Sequence, residues 1–240
     1  MDTRPFSFKA FSLFHHRSTM KVGSDAILLG IWTKLVNVKN VLDVGCGSGI
    51  ISLLIASRSS AKIDAIDIDD HSVAESIENF SKSPFSARLK AENIDFKNFI
   101  SVSEQNYDLI VSNPPFFTND LLSPEIRKTK ARHSVSLNYN ELCAGSKKLL
   151  KENGRLSVVI PYFKHEEFIN VDRENSLYLN RKLLIFPKRG SSPNRVNMEF
   201  SKTNMSGIVT EYFIIREENN NFTAQYHEWL NDYYLSIPKH

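Results

Sequence analysis

The sequence predicts an α/β fold built on a doubly wound, mostly parallel, seven-stranded sheet. Short apolar strand-like runs alternate with helical segments through about residue 161. A glycine-rich loop directly follows the first buried strand, and acidic or amide side chains follow the next strands. Further strand-like runs in the last third should complete the same sheet, with an antiparallel strand near the carboxyl-terminal end.

Composition narrows the class of protein. Charged residues make up 24% and hydrophobic residues 41% of the 240 residues, as in soluble globular proteins. No apolar run approaches the roughly 18 residues of a membrane span, and the amino terminus lacks the apolar core of a signal peptide. Cys46 and Cys143 fit no metal-ligand spacing, so we expect reduced thiols, no metal and a cytoplasmic protein. A net charge of +3 permits nucleic-acid binding without indicating it.

We expect a single domain over residues 1–240. Residues 1–36 form an amino-terminal arm and helix, 37–161 the ligand-binding core, and 162–240 the last strands and helix. Aromatic and basic residues interleave over residues 4–19, where the arm either packs on the domain or offers a stacking surface for unpaired bases. Residues 26–36 have helical spacing, and Ser24 or Asp25 can serve as the N-cap.

The first strand, residues 40–44, leads directly into the loop Gly45-Cys46-Gly47-Ser48-Gly49 and then into an apolar helix over 50–57. This succession supplies a tight turn, a close backbone approach to a ligand, and a helix amino terminus directed at it. The loop lacks the glycine spacing of dinucleotide enzymes and the Gly-Lys-Ser/Thr ending of phosphate loops. Neither of those two classes is therefore indicated.

Acidic residues follow the next two predicted strands. Asp67 lies near the end of the strand over 62–68, where nucleotide-binding sites carry a ribose-binding acid. Asp95 follows a strand-like stretch over 87–91 and precedes a short amphipathic segment over 96–102. It can meet an adenine amino group at the third strand end, and on position alone it is equally well a surface acid.

A rigid corner, Asn113-Pro114-Pro115-Phe116, ends the strand over residues 107–112. Two successive prolines fix two φ angles and present the Asn113 amide beside the Phe116 ring. Ligands bind at the carboxyl ends of strands in open α/β sheets, and the amide oxygen there can accept from an exocyclic amine. The alternative is a loop that the prolines merely stiffen, with Phe116 in the core.

Helix and strand signals continue to the end of the chain. The helix over 72–81 can be capped by Asp69 or Asp70, and Ser72 with Glu75 can form a capping box at its start. Asn138 is predicted to cap a helix over 139–151 with Glu141 at its third position. Further strands are predicted over 155–161, 179–186, 196–201 and 211–216, and aromatic residues at helical spacing predict a terminal helix over 222–233.

Two basic stretches are candidates for contact with phosphates, although charge runs are often merely solvated. One follows the corner and the other lies in the loop over 188–195. Their candidate residues are Arg127, Lys130, Arg132, His133, Lys188, Arg189 and Arg195.

The glycine loop with Asp43, Asp67, Asp95 and the Asn-Pro-Pro-Phe corner resembles, in order, the signature of the Rossmann-like class I S-adenosylmethionine-dependent methyltransferases that modify planar amino groups. Phe6-x-Phe8-Lys9 and residues 20–30 resemble the amino terminus of the bacterial valine-tRNA adenine-N6 methyltransferases. Those enzymes modify the adenosine on the 3′ side of the anticodon. The resemblance extends over most of the chain and is weakest between residues 162 and 195.

The resemblance implies the cofactor S-adenosylmethionine, a tRNA substrate, and a monomer that needs neither a membrane nor a metal. It also implies that Asn113 and Pro114 hold the target amine while Phe116 stacks on the flipped base. Gly45, Gly47 and Gly49 would pass under the methionine moiety, Asp67 would bind the ribose, and Ile68 and Asp95 the adenine. Lys21, Val22 and Gly23 would close the pocket, and Asp43 and Asn113 complete the cofactor set.

Other functions use the same pattern. A protein glutamine methyltransferase also acts on a planar amide nitrogen, although only about 40 residues precede the first strand and leave little room for a partner-binding domain. Guanine-N2 methylation of ribosomal RNA would use the same corner. The alternative that is not an enzyme is an RNA-binding module that kept the fold. The intact glycine loop, the ribose-binding acid and the Asn-Pro-Pro-Phe corner argue against it.

Overall fold

The structure is a computed structural model and describes residues 4–18, 21–115 and 137–235. Ten strands are present in these ranges. They are β1 (Phe6–Ser7), β2 (Ser12–Leu13), β3 (Asn40–Val44), β4 (Lys62–Asp67), β5 (Leu89–Asn93), β6 (Tyr107–Ser112), β7 (Leu150–Pro161), β8 (Tyr178–Lys188), β9 (Arg195–Ser201) and β10 (Val209–Arg216).

Seven α-helices accompany the strands in the described ranges. They are α1 (Ser24–Trp32), α2 (Ile50–Arg58), α3 (Asp70–Ser81), α4 (Phe96–Val102), α5 (Tyr139–Leu149), α6 (His165–Glu174) and α7 (Ala224–Leu230). Short 3₁₀ turns at Ser86–Arg88 and Tyr162–Lys164 precede β5 and α6. Among these ranges no helix has both the length and the apolar character needed to cross a membrane.

The main sheet has the strand order β10-β8-β9-β7-β6-β3-β4-β5. All neighbours are parallel except β9, which runs antiparallel to β7 and β8. The predicted fold class, with an antiparallel strand near the end of the chain, is confirmed. The sheet has eight strands rather than seven, because all eight strand-like runs of the sequence pair in it, including β10, which is parallel to β8 at that edge.

Strand alternation divides the core into two layers, one on each face of the sheet. Val41 of β3 belongs to the layer that contains α1 and α2, whereas its neighbour Leu42 belongs to the layer that contains α4, α5 and α6. Both faces of the central strands are therefore covered, as parallel sheets require. The loops at the strand ends are left to form a site.

The amino-terminal arm packs on the domain, which confirms the first of its two predicted roles. Phe8 and Phe11 are buried, and their rings stack with centroids 4.7 Å apart. Phe8 also stacks on Tyr234 near the carboxyl end, at 5.6 Å. The arm thus joins the two ends of the described chain through aromatic contacts.

Several predicted helix starts differ from the structure. Gly23, not Ser24 or Asp25, is the N-cap of α1, and Asp25 instead accepts from the Arg195 guanidinium at 2.7 Å. Asp69 caps α3 by accepting from the Ser72 N–H at 2.8 Å, so the predicted capping box there is wrong. The capping box of Asn138 and Glu141 on α5 is confirmed in both of its hydrogen bonds.

Candidate active site

The carboxyl ends of β3, β4, β5 and β6 lie side by side at one edge of the sheet. Val44 of β3 is in register with Ile66 of β4 on one side and with Ser112 of β6 on the other. Asp67 of β4 is in register with Asn93 of β5. The glycine loop, Asp67, Asp95 and Asn113 follow or end these strands, so the topology brings them to one edge as the sequence predicts.

The glycine loop adopts a conformation that side chains rarely allow. Gly45, Gly47 and Gly49 have φ angles of +73°, +54° and +82°. A Cβ at Gly45 or Gly47 would meet no atom within 4 Å among the described residues, so these positions face open space, whereas a Cβ at Gly49 would overlap the Phe80 ring. The first two glycines therefore expose backbone at the sheet edge, and the third allows α3 to pack closely.

Asp67 binds the loop as well as ending its strand. Its Oδ2 accepts from the Gly47 N–H at 2.9 Å, and its Oδ1 accepts from the Asp69 N–H at 3.0 Å. Burial raises the pKa of this carboxyl, and the backbone hydrogen bonds partly offset the rise. Each carboxylate oxygen has a second lone pair, so Asp67 can still accept from a ligand hydroxyl.

A polar face of α3 connects the glycine loop to the amino-terminal arm. Ser76 Oγ donates to the Gly47 carbonyl at 2.7 Å, and the Asn79 amide donates to the Ser48 carbonyl at 2.9 Å. Asn79 also bonds both the N–H and the carbonyl of Phe14, at 2.8 Å each. These contacts fix the loop and the arm against each other.

Glu75, on the same face of α3, holds the arm directly. Its fully buried carboxylate accepts from the backbone N–H groups of His16, Arg17 and Ser18, each at 2.9 Å. These hydrogen bonds outweigh desolvation and lower the pKa of Glu75. The sequence did not predict this role, because the partners of Glu75 lie nearly sixty residues away and no local pattern marks them.

Asp43 lies fully buried beneath the glycine loop, in β3. Its Oδ2 accepts from the Ser52 hydroxyl at 2.6 Å and from the Ser52 N–H at 3.2 Å. Its Oδ1 is buried and has no hydrogen-bond partner in the described part of the chain. Burial raises the pKa of the Asp43 carboxyl to about 7, despite the two bonds from Ser52.

The corner after β6 presents an acceptor that no described residue satisfies. Ser112 Oγ donates to the Val44 carbonyl at 2.8 Å and anchors the strand end against β3. Pro114 is buried, and Asn113 is half-buried. The side-chain oxygen of Asn113 is itself buried and has no partner among residues 4–18, 21–115 and 137–235. A buried carbonyl oxygen without a donor is costly unless a ligand supplies one.

The remaining predicted cofactor residues are placed as follows. Ile68 follows β4 with its side chain 58% exposed, which leaves an apolar surface at the sheet edge. Asp95 caps α4 by accepting from the Lys97 N–H at 2.8 Å, a role that a surface acid also fulfils. Val22 donates its N–H to His15 Nδ1 at 3.3 Å, and the exposed Lys21 and Gly23 flank it before α1.

The predicted RNA contacts that lie in the described part of the chain are partly engaged by acids. Arg195 binds Asp25, and Arg189 binds Glu217 through Nε at 2.5 Å and Nη2 at 3.0 Å. Lys188 ends β8 and is half-buried. Five of the predicted site residues lie outside the described residues: Phe116, Arg127, Lys130, Arg132 and His133.

The described ranges contain no cluster of side chains suited to bind a metal ion. No group of three or more His, Cys, Asp or Glu side chains is arranged there to hold a metal ion. Both cysteines are free and buried, and burial raises the pKa of each thiol. Neither thiol is therefore suited to act as a nucleophile.

This chain is similar in sequence to known methyltransferases over nearly its whole length. Residues 12–173 match the methyltransferase small domain family. The chain is 34% identical over 232 residues to the tRNA1(Val) (adenine(37)-N6)-methyltransferase of Parabacteroides distasonis, a match that covers 97% of this chain and 98% of that one. The protein of the same name from Phocaeicola vulgatus is 37% identical, with the same shares of both chains covered.

The fold is also shared with solved methyltransferase structures. The crystal structure of a predicted O-methyltransferase from Agrobacterium tumefaciens superposes with a TM-score of 0.65 over 87% of this chain and 96% of that one. The two sequences are 18% identical, so this similarity concerns the fold. By the family match and by its near full-length relatives, this chain belongs to the methyltransferase small domain family and, within it, to the family of the tRNA1(Val) (adenine(37)-N6)-methyltransferases.

Proposed function

We propose that this protein transfers the methyl group of S-adenosylmethionine to N6 of an adenosine in tRNA, and that the target is adenosine 37 of valine tRNA, on the 3′ side of the anticodon. The observation that carries the chemistry is the buried Asn113 oxygen, which has no partner among the described residues. It lies at the edge of the sheet where the glycine loop also lies. The names of the relatives supply the substrate.

The residues at this edge fit S-adenosylmethionine. Gly45 and Gly47 leave open space for a ligand against the loop backbone, and Asp67 has lone pairs left for ribose hydroxyls. The buried Asp43 Oδ1 has no donor in the described part of the chain, and a cationic group bound above the loop would favour the ionised form of this carboxyl. Ile68 offers an apolar surface for the adenine, and Asp95 an acceptor for its amine. When bound, S-adenosylmethionine supplies the electrophilic methyl group.

The corner must overcome the weak nucleophilicity of adenine N6, whose lone pair is delocalised into the ring. Two acceptors do this: the Asn113 side-chain oxygen and the Pro114 carbonyl oxygen each bind one N6 hydrogen. These bonds orient the lone pair and stabilise the positive charge that develops on nitrogen. No strong base is needed, because the N6 proton becomes acidic once that charge has formed. Phe116, from the corner motif, is assigned to stack on the flipped base.

The surroundings of the site limit how RNA is held. Arg189 and Arg195 are each paired with an acidic side chain, which occupies some of their N–H donors. They are therefore better suited to orienting the protein on the RNA than to binding phosphates strongly. Lys188 and the basic residues over 127–133 complete the proposed phosphate contacts. Charge reversal at Lys188 should weaken tRNA binding and reduce its salt dependence.

Three further expectations accompany this function. The protein should act in the cytoplasm, where its tRNA substrate is found. It should be a monomer, which light scattering at micromolar concentration would test. Residues 1–240 should form one domain with the three parts given above, and limited proteolysis should then release no stable fragment of the core.

The experiment offers the protein labelled S-adenosylmethionine with three kinds of acceptor. These are unmodified tRNA transcripts including the valine species, ribosomal RNA, and a glutamine-containing peptide. Label should enter valine tRNA, and a transcript with guanosine at nucleotide 37 should take up none. Incorporation into ribosomal RNA or peptide alone would overturn the tRNA assignment while leaving the methyltransferase chemistry intact.

A further inference from the structure

The turn that follows β7 lies beside the Asn113 corner. β6 and β7 are parallel neighbours, with Ser112 in register with Val158. β7 ends at Pro161, so the turn Tyr162–Lys164 leaves the sheet at the same edge as the corner. The glycine loop follows β3, on the other side of β6. The turn therefore flanks the corner on the side away from the cofactor residues.

Contacts within the described chain fix the shape of this turn. The rings of Tyr162 and His165 stack with centroids 4.4 Å apart and planes 14° apart. His165 Nδ1 lies 2.6 Å from the Tyr162 carbonyl oxygen, which can only accept, so Nδ1 carries the hydrogen. The Tyr162 N–H donates to the Asn194 carbonyl at 3.0 Å, which connects the turn to the residue before Arg195.

Phe163 is the residue that this rigid turn presents to solvent. Its side chain is 67% exposed and has no ring contact among the described residues. Single exposed apolar side chains are common on proteins, so exposure alone indicates nothing. The position of Phe163 is what suggests a function. The residue lies between the corner after β6 and Arg195, which is in register with Pro161.

We propose that Phe163 is a stacking platform for an unpaired nucleotide next to the target adenosine. The inference rests on the proposed function: when the target base is extruded into the corner, its neighbours lose a stacking partner and need another flat surface. An exposed aromatic ring stacks on any base, and loops of single-stranded RNA are recognised in this way. The ring would hold the loop beside the corner without contacting the reacting atoms.

The test compares Phe163→Ala, Phe163→Leu and Phe163→Tyr, with Tyr212→Ala as the matched control. Tyr212 is an aromatic residue 59% exposed on β10, away from the corner. Loss of one base stack should raise the KM for valine tRNA roughly 5- to 100-fold in the Ala and Leu variants. The Tyr variant and the Tyr212 control should stay close to wild type, and S-adenosylmethionine affinity and melting temperature should be unchanged in all four.

A second readout locates the nucleotide. With 2-aminopurine on either side of the target adenosine, one position should change its fluorescence on binding wild-type protein, and that change should be lost with Phe163→Leu. An unchanged KM for Phe163→Leu, or an equal loss in Phe163→Tyr, would overturn the stacking role. Wild-type protein that methylates no tRNA would instead overturn the proposed function itself, so the two failures are distinguishable.

Discussion

Gly47 and Asp67, twenty residues apart in the sequence, are joined by a hydrogen bond of 2.9 Å from the backbone N–H to the carboxylate. Gly47 has a φ of +54°, which few residues other than glycine adopt. The acid assigned to the cofactor ribose therefore also stabilises the loop assigned to the methionine moiety. We therefore expect cofactor binding and loop shape to depend on the same carboxylate.

Asp67→Ala should weaken S-adenosylmethionine binding by more than the loss of a ribose contact alone. Charge-assisted hydrogen bonds contribute about 1.5–3 kcal/mol each, so the Kd should rise at least about tenfold. Asp67→Asn keeps one acceptor oxygen and should lose less. Titration calorimetry measures both variants, and an Ala variant that binds as tightly as wild type would refute the assignment.

Asn113→Ala should separate turnover from cofactor binding. It removes one of the two acceptors proposed for the N6 hydrogens, and the loss of such a donor or acceptor typically costs about 100-fold in kcat. S-adenosylmethionine should bind within a few-fold of wild type. Asn113→Asp retains an acceptor but adds a charge, so its turnover should fall by less than that of the Ala variant. Turnover at the wild-type level in Asn113→Ala would remove Asn113 from the mechanism.

Glu75→Ala should destabilise the protein, because three backbone N–H groups of the arm lose their acceptor. Loss of these three hydrogen bonds, of which the Ser18 bond is buried and the other two are part-buried, should lower the free energy of unfolding by about 2–4 kcal/mol. Glu78→Ala is the control: Glu78 lies on the same helix and pairs with Arg17 and Lys82 at the surface. It should change stability little. Equal urea midpoints for the two variants would contradict the role of Glu75.

Asp172 is a buried acid whose polar neighbour is the Cys143 thiol, and its two oxygens have no other hydrogen-bond partner in the described ranges. Burial raises its pKa well above the ordinary 3.8. The unfolded chain therefore releases this proton above about pH 4 while the folded protein keeps it, so stability falls as pH rises until the folded pKa is passed. Asp172→Asn should remove this contribution. Its gain in unfolding free energy over wild type should grow from pH 5 to pH 8, and a constant difference would contradict the prediction.

Local signals in the sequence predicted much of the fold. The strand Asn40–Val44 and the glycine loop carry their own signals, and Asn138 with Glu141 forms the capping box that the sequence indicates. The third strand is displaced to Leu89–Asn93, and α6 was not predicted. Helix α6 contains few apolar residues, of which only Phe168 is buried, so its periodicity is weak.

The sequence predicted the candidate-site residues that directly follow strands. It did not predict the residues that hydrogen-bond to parts of the chain distant in sequence. Asp67 and Asn113 lie at the predicted strand ends. Glu75 and Asn79 were missed because their partners are in the arm and the glycine loop, and sequence spacing alone does not show that packing. Arg195 was predicted to bind RNA, and the structure adds Asp25 as its partner, which depends on how β9 meets α1.

The most direct measurement is nucleoside analysis by mass spectrometry of valine tRNA transcript incubated with the wild-type protein and S-adenosylmethionine. We predict one N6-methyladenosine per transcript, mapped to nucleotide 37, and an initial rate of its formation about 100-fold lower with Asn113→Ala under the same conditions. Methylation of a different base or atom, or an equal initial rate from the Asn113 variant, would contradict the proposal that this corner holds the adenine amine.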